Sequence, residues 1–314
     1  MKRHWGIGPP GFLAALFLVF AAVTACDRPS PQTVSLEKRQ ELPAPKVLPH
    51  EKPLTLCVGS MITPQDGYVY YRQLIDYLAE KLDLHITALD PGNYEEVNRL
   101  LETGMVDVAF ICSGPYVEGH ARFGLNLLAA PVVNDEPVYY SNLIVPRGSS
   151  ARRLADLRGK TFAFADPHSN SGAMVPMSKL AETGETPESF FGSFLFTYGH
   201  DRSIRAVADG LVDGAAVDSL IWDFLVANNP GLREKVRVIE RFGPFGIPPV
   251  VTGNHVDPAM REALQKILLS MHNDPRGREI LKGMNIERFT QIDDSAYDSV
   301  RELQRFIEKQ RQQP

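Results

Sequence analysis

Apolar residues recur along this chain in two alternating rhythms. Short runs that read as buried strands (54–58, 84–89 and 106–112) are separated by segments whose apolar positions fall three and four apart. Leu74, Ile75, Leu78 and Leu82 set that spacing over 69–82, and Val97, Leu100 and Leu101 set it over 95–102, with a short helix predicted at 115–122. This βα alternation predicts a mostly parallel sheet covered on both faces, with ligands bound beyond the carboxyl ends of its strands. The rhythm breaks at 137–146, a long β-prone run of the kind that crosses between domains. It resumes with strands predicted at 161–165, 194–198, 214–217 and 236–240 and helices at 173–181 and 203–209. A second extended run, 243–251, reads as a return crossing, and the tail carries amphipathic helices at 258–273 and 296–309. Two βα lobes, two crossings and a helical return predict a hinged α/β pair with a cleft between the lobes. Lobe 1 is then 54–142 with 252–314, and lobe 2 is 143–251.

The first 53 residues follow neither rhythm. A basic start and an apolar run over 12–23 describe an export signal spanning 1–25, since a membrane span needs about 20 apolar residues. Cys26 follows Thr24-Ala25 and resembles the cysteine of a bacterial lipobox, so its thiol is the expected lipidation site. Residues 26–53 carry six prolines among charges and no apolar period, which describes an extended tether. Lipid and tether place the remainder just outside a membrane, in the periplasm of a Gram-negative cell. A formal net charge of −5 with no basic stripe argues against a nucleic-acid partner.

The densest chemistry lies in Phe162-Ala-Phe-Ala-Asp-Pro-His-Ser-Asn-Ser-Gly172. A strand runs into a turn of small hydroxyl residues and then into a helix. The first N–H groups of a helix have no internal partners, so this arrangement makes an anion site without a full positive charge. Ser169, Asn170 and Ser171 add side-chain donors, and Gly172 permits close approach of the backbone. An ordinary N-cap turn uses the same residue types, so the segment alone leaves both readings open. The eight histidines show no metal-ligand spacing, and there is neither a G-x-S-x-G nor a phosphate-binding Walker loop, so no metal, cofactor or enzymatic role is expected. Tyr139 and Tyr140 read as packing residues. Cys57 and Cys112 each end a predicted strand. In an exported chain they can be bridged or free.

Four segments together resemble the periplasmic phosphate, phosphite and phosphonate-binding proteins of ABC transporters (PhnD-like), within the type II periplasmic binding fold. They are 106–117, the loop Asp166-Pro-His-Ser-Asn-Ser-Gly172 with Pro176, the stretch from Gly199-His200 through Val212-Asp213, and Asp293-Asp-Ser-Ala-Tyr297. The resemblance implies a monomeric binding protein that closes on a small oxyanion and hands it to a membrane permease. It implies that Tyr116 reaches the anion from lobe 1, that Ser169, Asn170 and Ser171 hold it from lobe 2, and that His200 donates a further hydrogen bond. Asp218 would accept from a protonated oxyanion; Ser113 and Tyr68 are further candidates. Relatives that bind aminoalkylphosphonates place carboxylates where this chain has Leu220 and Pro248, and an amine there would be buried unpaired. The resemblance also leaves a second role open, a sensory protein that binds an oxyanion, or arsenite through Cys112, and signals to a membrane histidine kinase.

Overall fold

The computed structural model describes residues 53–59 and 64–311, with side chains for 53–59 and 69–310. The export signal, Cys26 and the tether lie outside the described residues, as does the side chain of Tyr68. In chain order the strands are β1 (Leu54–Val58), β2 (Ile86–Leu89), β3 (Val108–Phe110), β4 (Leu125–Val132), β5 (Val138–Pro146) and β6 (Thr161–Phe164). They continue as β7 (Ser193–Phe196), β8 (Gly214–Asp218), β9 (Val236–Gly246), β10 (Val250–Gly253) and β11 (Arg288–Thr290). One sheet has the order β11-β4-β10-β3-β1-β2 and the other β7-β6-β8-β5-β9. The pairs β1–β2, β1–β3, β6–β7 and β6–β8 are parallel. The strands that enter from the crossings, β5 and β10, pair antiparallel with their neighbours.

The first sheet is apolar on both faces because helices cover both. Leu54, Leu56, Val108 and Phe110 pack with Leu74 and Leu78 of the helix Pro64–Leu82. Cys57, Ala109 and Ile111, one residue out of phase, pack with Val97 and Leu101 of the helix Tyr94–Glu102. This period of two decides the cysteine question. Cys57 pairs in register with Ala109 and belongs to the second face, whereas Cys112 belongs to the first. Both thiols are free and fully buried.

Two expectations move. The run 137–146 is not a crossing but the strand β5, wholly within the second sheet. The chain changes lobes at 133–137, and again at 247–249, so the divisions drawn at 142 and 251 cut through β5 and β10. The segment β4 and the short β11 gave no alternation that marked them as strands, and a helix at Pro275–Gly283 also escaped the pattern. The tail does not stay with lobe 1. The helix Asp298–Arg311 packs on the helix Ser113–Arg122 of the first lobe and on Val175–Ala181 of the second. Among the described residues, no helix is long and apolar enough to cross a membrane.

Burial pushes the Cys57 thiol up to about 12 and also raises that of Cys112. Because the thiolate is the reactive form, iodoacetamide at pH 8 should leave both unlabelled in the native protein and label both after unfolding. Mass spectrometry of the peptides checks this; a native Cys57–Cys112 disulfide would contradict the register.

Candidate functional site

Beyond the carboxyl ends of β3, β6 and β8 the chain makes three turns into helices, and all three turns meet between the lobes. From β3, Cys112 caps the helix Ser113–Arg122 without a side-chain hydrogen bond, which puts Ser113 and Gly114 in its first turn. From β6, residues 166–174 form a loop and one π turn, Asn170–Met174, a local irregularity that often marks a functional position. From β8, Asp218 caps the helix Ser219–Asn228. Ser113, Cys112, Ser169, Asn170, Ser171, His200 and Asp218 are all fully buried.

Each group in the loop has a fixed orientation. Ser169 Oγ accepts from Gly172 N at 3.0 Å and lies 3.3 Å from His200 Nε2. His200 Nδ1 accepts from Asp218 N at 3.0 Å, so in the neutral ring Nε2 carries the proton and donates to Ser169. Burial holds the ring neutral by lowering its pKa to about 3. With two bonds accepted, Ser169 has its own O–H left to donate. Ser141 Oγ donates to Ser171 O at 2.6 Å, and Ser141 sits opposite Asp218 in the sheet. Asn170 Nδ2 donates to Tyr139 Oη at 2.9 Å, and Tyr139 Oη lies 2.6 Å from Ser113 Oγ.

Four buried side chains in this cluster keep atoms with no hydrogen-bond partner: Tyr94 Oη, Asn170 Oδ1, Ser171 Oγ and Asp218 Oδ2. Each such atom costs about 1–3 kcal/mol, so four in one place need an explanation. Burial, with Asp218 nearby, pushes the Tyr94 and Tyr139 hydroxyls well above their ordinary range, so both stay protonated. Asp218 Oδ1 accepts from Leu220 N at 2.7 Å, while burial raises the carboxyl from 3.8 to about 7 against the pull of the Leu220 and Ile221 N–H groups. The assembled groups are hydroxyls, amides and helix N-termini with one carboxyl, and none is Lys or Arg. The arrangement suits an anion that also carries a proton.

The lobes touch directly at the rim. Asp166 Oδ2 accepts from Tyr94 N at 3.1 Å, and Asp166 Oδ1 accepts from His168 N. His168 Nδ1 lies 2.8 Å from Glu118 Oε2; the carboxylate raises the imidazole pKa and the imidazole lowers the carboxyl's. A Cβ on Gly114 would stand 2.4 Å from His168 O and 2.3 Å from Met174 Cε, so only glycine permits this approach.

Several sequence expectations are corrected by this geometry. Tyr116 does not reach the site. Its hydroxyl donates to Asp294 Oδ1 at 2.6 Å and its ring packs on Tyr297, so it braces the C-terminal segment. His200 has no free donor for an anion, because both ring nitrogens are engaged; it orients Ser169 instead. Tyr139 is not simple packing but the hydroxyl that joins Ser113 to Asn170. Cys112 lies at the site, 3.9 Å from Tyr139 Oη, yet its thiol is protonated by burial and Cys57 faces the other side of the sheet. Tyr94 was missed altogether. Asn93 with Glu96 three residues later is a helix-start pattern, and Asn93 does accept from Glu96 N; it would have placed Tyr94 in the first turn, at the cleft.

These two lobes, joined by two crossings around a buried, donor-rich cleft, define a type II periplasmic binding-protein fold. Residues 57–297 match the family model described as the periplasmic substrate-binding protein of phosphonate ABC transporters, and the chain belongs to that family. A probable phosphite-binding protein of an ABC transporter, PhnD1 of Prochlorococcus marinus, is 25% identical over 184 residues, spanning 55% of this chain and 60% of that relative. The crystal structure of a binding component of a Pseudomonas aeruginosa phosphonate transporter superposes with a TM-score of 0.78 at 20% identity, over 83% of this chain and 88% of that one. PhnD1 in complex with methylphosphonate gives 0.74 at 18% identity, over 82% and 99%.

Two outcomes are expected. Gly114→Ala should keep the lobes apart and weaken ligand binding by about tenfold or more, with the thermal midpoint of the ligand-free protein almost unchanged; calorimetry and small-angle scattering measure the two effects. Asp218 binds its proton more tightly folded than unfolded, so its burial costs stability increasingly as pH rises from about 4 to about 7. Asp218→Asn removes that cost. Its stability advantage over the wild type in denaturant titrations should grow across this window, by on the order of 4 kcal/mol at pH 8.

Proposed function

We propose that this protein captures a small protonated phosphorus oxyanion (a phosphonate, phosphite or hydrogen phosphate) in the interlobe cleft and delivers it to a membrane permease of an ABC transporter. The observation that carries this reading is an unpartnered carboxyl buried among donors, with the amide oxygen Asn170 Oδ1 also left unpaired. Asp218 Oδ2 is buried without a partner among hydroxyl and amide groups. A carboxylate repels a full dianion but accepts from P–OH, while Ser169, Ser171, Tyr94 and the N–H groups at the helix starts donate to the other oxygens. Sulfonates and sulfate carry no proton at neutral pH, so Asp218 could face them only in its protonated form, whereas a P–OH pairs with the carboxylate as well.

Capture here involves no chemistry. The Ser169–His200 pair resembles a nucleophile and its base, but His200 Nε2 already holds a proton and cannot take another from Ser169. The chain acts in the periplasm on this reading, held at the membrane by a lipid on Cys26 and the proline-rich tether, with diffusion of the closed form to the permease as its task.

Calorimetry against phosphate, phosphite, methylphosphonate, sulfate and methanesulfonate tests the proposal. Phosphorus compounds should bind and the sulfur compounds should not. Ser169→Ala combined with Ser171→Ala removes two donors, at about 1–3 kcal/mol each, and should weaken binding at least about tenfold. Unchanged binding in that double variant, or a preference for sulfate in the wild type, would refute the assignment.

A further inference from the structure

An apolar cavity of about 70 Å³ lies between the lobes, lined by Tyr71, Phe110, Leu220, Ile221, Phe224 and Pro248 among others. Two of its lining residues lie two positions along the chain from residues of the proposed oxyanion cage. Leu220 donates its N–H to Asp218 Oδ1, so the cavity begins two residues beyond the proton-accepting carboxyl. Phe110 ends β3, two residues before Cys112, and Tyr71 packs edge-on to it at 5.7 Å. The lining residues include no Asp, Glu, Lys, Arg or His; the polar groups are tyrosine hydroxyls and the exposed Asn285. Leu220 and Ile221 come from the second lobe and Tyr71 and Phe110 from the first, so the cavity, like the cage, needs both lobes.

A phosphonate has one substituent on phosphorus that cannot join the donor ring. We infer that this cavity is the subsite for that substituent, and that the substrate is a phosphonate bearing an uncharged apolar chain of a few carbons. The inference rests on the proposed oxyanion site. A largely apolar wall favours carbon and disfavours an ammonium, because none of the lining residues is a carboxylate and the neighbouring Asp218 is, on the proposed reading, taken by the P–OH. It has room for more than a methyl group: a cavity this size holds several water-sized groups.

The test uses methylphosphonate, n-propylphosphonate and 2-aminoethylphosphonate with the wild-type protein in calorimetry. The last two have the same length and differ by CH₃ against NH₃⁺ at the end. Each buried methylene should add about fourfold, so n-propylphosphonate should bind about tenfold or more tighter than methylphosphonate, and the amine weakest of the three. Leu220→Phe should shrink the cavity and reduce the ratio of n-propylphosphonate to methylphosphonate affinity at least about fivefold. Leu220→Asp should narrow or reverse the preference for propyl over the amine; if that variant does not fold, the wild-type series and the phenylalanine variant still decide. Binding of methylphosphonate with n-propylphosphonate weaker, or the amine tightest, would overturn the subsite and leave the oxyanion site standing. Failure of every phosphorus compound, phosphate and phosphite included, would overturn both.

Discussion

The whole arrangement depends on bringing two backbones into contact across the cleft. The proposed cage has no cation, so its hold on an anion comes from dipoles, and dipoles are strong only where water is excluded. Exclusion requires the first turn of the helix Ser113–Arg122 to approach the carbonyl of His168 and the amide of Asn170, a contact that leaves no room for a side chain at position 114. The bond from Tyr94 N to Asp166 and the pair between His168 and Glu118 act at the same rim. The surfaces that exclude water are therefore made of the loops that supply the donors, and neither lobe has the whole site by itself.

Behind the donors stands a second set of bonds whose role is orientation. His200 is a rigid spacer between the backbone at Asp218 and the hydroxyl of Ser169, and its neutrality matters because a charged ring could not accept from the Asp218 N–H. Ser141 pins the carbonyl of Ser171 from the neighbouring strand. On the far side, Asp294 receives the Tyr116 hydroxyl and an Arg301 guanidinium, while Tyr297 donates to Ile247 O at the second crossing. The C-terminal acidic segment thus fastens the hinge and the site helix together without touching the site.

Much of this was legible in the sequence because the hydrophobic periods are long and regular. The two βα sets and the loop at 166–172 follow from strand ends and turn residues that local patterns specify, whereas the acceptor role proposed for Asp218 comes from the family resemblance. The errors share a different cause. Tyr116 follows a small-residue turn and Tyr139 lies in an extended run beside Tyr140, and only the packing of distant segments sends one hydroxyl to Asp294 and the other between Ser113 and Asn170. The strand β11 has three residues and owes its existence to β4 beside it. Side-chain direction across a cleft is set by the partner lobe, and no local period records it.

The order of strands in the first sheet has a consequence for how the chain acquires its shape. Strand β10 lies between β4 and β3, yet it follows the entire second lobe in sequence. Until β10 arrives, β1, β2 and β3 have no pairing to β4, and the first sheet is two unconnected pieces. The second sheet uses one continuous stretch, from Val138 to Gly246, and has all its strands before then. For a chain that emerges from its N-terminus, the lobe that starts first is completed last. The middle of the protein is the first part able to close its own core, and the cleft comes into being only when a four-residue strand, Val250–Gly253, joins the halves of its neighbour.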